Sequence, residues 1–330
     1  GRTSRLSGLH REGIAERRRR VEHATALPEG ALDGYDRGLE AEQADKMVEN
    51  AGGVYELPMG MATNFIVDGR ELVVPMAIEE PSVVAAASNG ALRARAGGGF
   101  FTDVDASLTV AQVQVKGAPD VAVATAALTQ AREELLRISN DSMPELVELG
   151  GGARDTEVRV LGDRSTVVLH LVVDCLDAMG ANAVNTMAEA VAPRVEELTG
   201  GRVGLRILTN LADRRLARAR CTIPVRSLER KSAPGVEVRD GVVAAYEFAA
   251  LDPYRAATHN KGIMNGVDAV VMATGNDWRA VEAGAHAFAS RHGQYEPLTR
   301  WWVTQDGDLG GEIEIPLAIG TVGGCLLYTS

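Results

Sequence analysis

Apolar positions along the chain recur with two periods, and those periods divide it into segments. Residues 1–50 read as helical and polar. The runs VYELP and ATNFIV that follow have strand length and strand character. Between ATNFIV and the return strand ELVVPMAI, Val67-Asp68-Gly69-Arg70 is a hairpin turn of the Asp-Gly type, a pair that accepts the positive φ a two-residue hairpin demands. Pro75 cannot donate to a ladder, so the return strand reads as an edge or irregular strand. The small residues of VVAAASNGALRARAGG predict a helix.

Residues 99–106 (GFFTDVDA) read as a crossing, after which the pattern changes. SLTVAQVQVKG is a strand, and PDVAVATAALTQAREELLRISN one long helix. Residues 155–160 and 165–174 are strands around the turn LGDR. ANAVNTMAEAVAPRVEELTG is a helix, and RVGLRILT closes the series as a strand. This βαββαβ order predicts a ferredoxin-like, or split βαβ, module at 107–212, inserted in a larger mixed α/β domain made of 1–106 and 213–330: an α+β class. In the last part LARARCTIPVRSL contains a strand, 230–240 reads as a loop, and GVVAAYEFAALDP as a helix. GVDAVVMAT reads as a short buried strand and 277–290 as a helix.

A length of 330 residues suits two domains. With aromatics at 4%, the core must be built from small and branched aliphatic residues. A net charge of −11 disfavours nucleic acid as the main partner, but a local patch or a helix N-terminus still serves an anionic cofactor. Cys175, Cys221 and Cys325 form no CxxC, which points to a reducing compartment without a disulfide or zinc framework, and no metal site is expected. No apolar run reaches membrane-spanning length and the start lacks an apolar signal core, so a cytoplasmic protein away from membranes is expected.

The densest chemistry lies between Asp252 and Arg279, DPYRAATHNKGIMNGVDAVVMATGNDWR. Gly262, Gly266 and Gly275 predict several bends there. Lys261, flanked by Asn260 and Gly262, with Asp277 after the apolar run, has the composition of a carbonyl-polarising site: a cation for a developing oxyanion and an acid that keeps it charged. The same residues fit a surface loop with a solvated lysine and a helix-capping aspartate, and spacing alone favours that reading. Upstream, Glu79-Glu80-Pro81-Ser82 ends a strand; adjacent carboxylates on an extended segment point to opposite sides, so one can enter a site. Arg17 to Arg20 could hold a phosphate but read first as a solvated helix face. The run from Cys175 to Asn182 is a strand, a glycine turn and a helix start, a geometry that offers N–H groups to a pyrophosphate. It is not GxGxxG, and by itself reads as a glycine turn. Asn210 reads as an N-cap, and His259 and His286 as structural histidines.

The segment DPYRAATHNKGIMNGVDAVVMATGNDWRAVEAGAHAFA closely resembles the catalytic segment of class II (bacterial) hydroxymethylglutaryl-CoA (HMG-CoA) reductases; EEPS at 79–82 and DAMGAN at 177–182 resemble two further motifs of that family, and the likeness runs from about 45 to 324. The resemblance implies an NAD(P)H-dependent reduction of HMG-CoA to mevalonate and CoA, or the reverse. It implies Glu80, Lys261 and Asp277 as catalytic groups, with Ser82, Arg255, Thr258 and Asn265 on the substrate, Arg255 at its carboxylate. It also implies a non-Rossmann nucleotide domain in which Asp177, Met179, Gly180, Ala181, Asn182 and Asn210 meet the cofactor, with Gly150-Gly151-Gly152 beside it. NADH and NADPH both stay open: the place of a ribose-binding acid holds Met143, Asp141 is out of register, and no basic residue for a 2′-phosphate stands nearby. A homodimer or larger assembly with interfacial sites is implied as well. Two departures stand out. The family's thiolate-protonating histidine belongs to a C-terminal lid domain, whereas no His follows His292, and the ending CLLYTS does not fit, which suggests a chain cut short. The rival readings are a truncated, non-catalytic relative that binds CoA or nucleotide without turnover, and a reductase of another acyl-CoA or aldehyde.

Overall fold

A computed structural model describes residues 2–162 and 164–321. The chain forms two units, one from residues up to 103 together with 217–315, the other from 104–216 with 316–321. In chain order the elements are α1 (Ile14–Thr25), α2 (Ala41–Met47), β1 (Met59–Val67), β2 (Arg70–Ala77), α3 (Val83–Arg95) and β3 (Phe100–Val104). They continue with β4 (Leu108–Lys116), α4 (Val121–Gln130), α5 (Arg132–Asp141), α6 (Pro144–Glu148), β5 (Gly152–Val160), β6 (Val167–Asp174), α7 (Ala181–Thr199) and β7 (Arg202–Leu208). Last come β8 (Leu216–Ile223), α8 (Val225–Leu228), α9 (Gly235–Leu251), α10 (Pro253–Ala273), α11 (Trp278–Ala289), β9 (Thr299–Val303) and β10 (Leu309–Pro316).

The inserted unit has a four-stranded sheet in the order β5-β6-β4-β7, with antiparallel pairing throughout. With its helices in the βαββαβ sequence, this is the ferredoxin-like arrangement. The strands bury alternate residues under α4, α5 and α7: Val113 and Val115 of β4 and Leu169 and Leu171 of β6 meet Leu128, Leu135, Met187 and Val191. The single helix expected over 119–140 is two, separated at Ala131 (φ −81°, ψ 9°); the break turns Leu135 and Leu136 onto the same core as Leu128.

The larger unit carries a six-stranded sheet in the order β2-β1-β3-β8-β10-β9. β2, which holds Pro75, is an edge strand, and the hairpin before it turns through Asp68 (φ 49°) and Gly69 (φ 76°). Four expectations are corrected here. VYELP is not a strand, since β1 begins at Met59. The stretch 230–240 is not all loop, because α9 begins at Gly235, which lies so close to the Val225 carbonyl that a Cβ would fall 2.1 Å from its oxygen. GVDAVVMAT is not a strand: it belongs to the 21-residue α10. The apolar run there has no period of its own, and the start signal decides it. Pro253 sits in the first turn, and the Asp252 side chain accepts from Tyr254 N at 3.1 Å. The buried residues Ala256, Asn260, Met264 and Val271 then recur at helical spacing. Gly262 and Gly266 lie within this helix, and a Cβ at either would meet no neighbouring atom; of the three glycines only Gly275 (φ 69°) marks a turn. Strands β9 and β10 were not foreseen. The odd ending at 325–330 lies outside the described residues.

Candidate active site

The helical form of α10 collects the candidate residues. At about 100° per residue, Thr258, Lys261 and Asn265 share one face, with Arg255 at its border. Lys261 and Thr258 are exposed, Arg255 and Asn265 half-buried. Further along the same side of the helix, Ala269 packs on β1 and β2, joining Ala62 and Met76 in one buried cluster. That packing lays α10 along β2, and the chain leaving β2 brings Glu80 to the helix. Lys261 Nζ donates to Glu80 Oε2 at 2.7 Å across 181 residues of sequence. The side chains keep 60% and 45% of their surface in water, so the pair adds under about 1 kcal/mol to stability and remains open to a ligand.

The neighbouring residue fixes this lysine in place. Asn260 is fully buried; its amide donates to the Glu296 carbonyl at 2.9 Å and its Oδ1 accepts from Leu298 N at 2.9 Å. Sequence reading used Asn260 only as a flank of Lys261, because the partners lie some 36 and 38 residues on. His259 Nε2 meets Thr299 Oγ1 at 2.7 Å, and burial, with Arg255 beside it, lowers its basicity. Asp277 does not hold Lys261 here. Its Oδ1 accepts from Arg279 N and Ala280 N, both at 3.1 Å, and from Arg279 Nε at 3.2 Å, so it caps α11. The acid touching Lys261 is Glu80.

Glu80 and the exposed Ser82 stand at the edge of an open groove of about 1190 Å³. Its walls include Arg5, Arg17, Tyr35, Met61 and Ser88. The run 17–20 is engaged rather than free: Arg17 Nε donates to the Leu9 carbonyl, Arg18 pairs with Asp36, Arg19 with Glu16 and Arg20 with Glu12.

In the inserted unit, β6 runs into a turn whose Gly180 (φ 96°) precedes α7. A Cβ at 180 would lie 2.2 Å from Cys175 Sγ, so only glycine fits. The first turn of α7 has no side-chain cap, which leaves its N–H groups for an anion. Asp177 and Asn182 are exposed and Met179 and Ala181 half-buried around this turn. Arg215, which sequence reading passed over, braces it: Nη1 donates to the Ala178 carbonyl at 3.0 Å and Nη2 to that of Ile319 at 2.6 Å. The Asp177 carbonyl accepts from Thr321 N at 2.9 Å. Gly152 pairs with Asp174 at the end of β6, which sets the glycine triplet beside the turn. Met143 packs against the unit's core, and Asn210 is exposed after β7, its carbonyl accepting from Ala212 N.

Comparison with known proteins agrees with these features. The family model described as hydroxymethylglutaryl-coenzyme A reductase matches residues 13–329. A 3-hydroxy-3-methylglutaryl-coenzyme A reductase of Archaeoglobus fulgidus is 48% identical over 98% of this chain and 73% of its own length. A probable reductase of the same name from Borreliella burgdorferi is 34% identical over 86% of this chain, which spans 64% of that relative. Among solved structures, the class II enzyme of Streptococcus pneumoniae bound to NADPH in open conformations superposes with a TM-score of 0.92 at 40% identity, over 96% of this chain and 87% of that one.

Proposed function

Because this chain belongs to the hydroxymethylglutaryl-coenzyme A reductase family, and so to the oxidoreductases, we propose that it catalyses the NAD(P)H-dependent reduction of HMG-CoA to mevalonate and CoA, or the reverse, with Lys261 and Glu80 at the reacting carbonyl. The single observation that carries the reading is the solvent-open Lys261–Glu80 contact of 2.7 Å. Lys261 faces the carbonyl oxygen and stabilises the negative charge that grows there as the thioester, and then the aldehyde, is reduced. Glu80, hydrogen-bonded to the same ammonium, delivers a proton to the nascent alkoxide. Asp277 bonds through Oδ1 to α11, and its second oxygen serves Lys261 or the substrate. Arg255 holds the substrate's distal carboxylate, a task suited to a guanidinium fork, while Ser82, Thr258 and Asn265 contact the acyl chain. The groove beside Glu80 has the size for the long CoA arm.

The α7 turn fits a dinucleotide, having uncapped N–H groups and a glycine where any side chain would collide. Asp177, Met179, Gly180, Ala181, Asn182 and Asn210 hold NADH or NADPH there. When bound, the nicotinamide supplies hydride. The S. pneumoniae relative, named as bound to NADPH, supports this assignment. The reading includes a cytoplasmic enzyme that works as a homodimer or larger assembly. No described helix is long and apolar enough to cross a membrane, and the exposed Phe248, Leu251 and Tyr254 beside Arg255 give a second copy an apolar surface to cover.

Calorimetric binding of HMG-CoA together with NAD(P)H absorbance tests the proposal. Oxidation of cofactor dependent on HMG-CoA supports it. Binding of CoA or nucleotide without oxidation, with mevaldehyde also unreduced, supports the non-catalytic relative.

A further inference from the structure

Further along the Lys261 side of α10 begins a chain of titratable groups that the proposed reaction does not use. Asp268 follows Lys261 by about two turns of α10 on the same side. Its side chain hydrogen-bonds that of Glu282 on α11, while its Oδ1 is buried without a partner. Glu282 Oε2 lies 2.5 Å from His286 Nε2, and His286 Nδ1 lies 2.9 Å from the Tyr295 hydroxyl. Two carboxylates in contact cannot both be ionised without strong repulsion, so a hydrogen bond between them requires a proton. With that proton on Asp268, every donor finds an acceptor: Asp268 donates to Glu282, His286 Nε2 donates to Glu282 from the other side, and Tyr295 donates to Nδ1.

We propose that Asp268 and Glu282 share one proton, that the bridged pair clamps α10 to α11, and that the clamp fixes the placement of α10, and with it of Lys261 two turns away. These are positioning residues and touch no substrate; their effect on turnover rests on the function proposed above, whereas the shared proton does not. The surroundings favour the arrangement. Burial and the facing Glu282 push Asp268 up to about 8. The charges flanking α10 are otherwise engaged: Glu71 of β2 with Arg95 of α3, Arg239 with Asp240 on α9, and Lys261 itself with Glu80. Among the described residues, Glu282 is the charged group that acts on Asp268, and no cation offsets it. Above its midpoint the pair carries two negative charges, and α11 is pushed from α10.

The test is a carboxyl-carbon NMR titration of the whole chain with ¹³C-labelled aspartate and glutamate, comparing wild type with Asp268→Asn, which mimics the protonated acid, and Asp268→Ala. One carboxyl that titrates near the predicted midpoint in wild type and vanishes in Asp268→Asn is the expected result. Titration of both groups in the ordinary carboxylate range overturns the proposal, whether or not the protein turns over. For positioning, mevaldehyde reduction is followed against pH. Wild-type kcat falls about tenfold per pH unit above the midpoint, with KM unchanged, and Asp268→Asn removes that limb. Asp268→Ala lowers kcat at every pH. Identical profiles for wild type and Asp268→Asn overturn the positioning role. If no variant turns over, the function proposed above fails, and the Lys261 amine signal replaces activity: the clamp requires it to shift through the same midpoint in wild type only.

Discussion

Asn260 and Leu298 are joined by a buried hydrogen bond, Leu298 N to Asn260 Oδ1 at 2.9 Å, one residue away from the lysine that reaches Glu80. The second Asn260 bond, to the Glu296 carbonyl, ties α10 to the segment that leads into β9. A buried amide with both ends engaged holds the helix at one rotation about its axis. Replacing it by Ala leaves the buried Leu298 N–H without its partner and takes one from the half-buried Glu296 carbonyl, so Asn260→Ala should lose about 2–3 kcal/mol of stability, measured by urea unfolding.

Lys261 and Glu80 should separate by their roles. Lys261→Ala removes the cation at the growing oxyanion and should lower kcat about 10²–10³-fold. Glu80→Gln keeps the hydrogen bond but not the exchangeable acid, and should lower kcat about 10²–10⁴-fold. Because the pair is solvent-open, neither change should move the thermal midpoint by more than about 1 kcal/mol equivalent. Steady-state kinetics beside calorimetry decides the matter; a large loss of stability would make the pair structural.

Arg255→Ala should raise KM for HMG-CoA about tenfold to a hundredfold, the worth of a charge-assisted bond. KM for an acyl-CoA lacking the distal carboxylate should stay unchanged. Equal effects on both substrates would remove Arg255 from the carboxylate and favour a reductase of another acyl-CoA.

Glu71 gives a pH signature independent of activity. Its carboxylate receives both Arg95 N–H groups and the Ser4 N–H and hydroxyl, which draw it down to about 2. A depressed folded value means stability present above the usual carboxylate range and lost as pH falls through about 2. Glu71→Gln should therefore cost about 1–2 kcal/mol at neutral pH, after allowance for solvent screening, and nothing at the acid end. Urea midpoints across the acid range provide the check.

Gly180→Ala should weaken NADPH binding and destabilise the inserted unit, because its Cβ has no room beside Cys175 and its φ of 96° disfavours any side chain. Arg215→Met, which keeps the stem but loses the bonds to Ala178 and Ile319, should weaken NADPH binding with a smaller cost in stability. Fluorescence titration of NADPH with each variant distinguishes an effect on the turn from general unfolding.

The amino-acid sequence alone determined what depends on neighbours in the chain. The Asp68–Gly69 hairpin, the alternation in β4 and β6, and the glycine turn before α7 are all local, since φ preferences and a two-residue period act over a few positions. The resemblance of three motifs further named the family from residues that no period could have singled out. Tertiary structure decided the rest. The apolar run of α10 suits a strand or a helix, and only its packing on Met76 and Ala62, with the Asp252 cap, makes it the helix that sets Thr258, Lys261 and Asn265 on one face. Whether Lys261 would find Glu80 or Asp277 was likewise beyond spacing: an ammonium pairs with whichever acid the folded core brings within reach, and here that acid is 181 residues away.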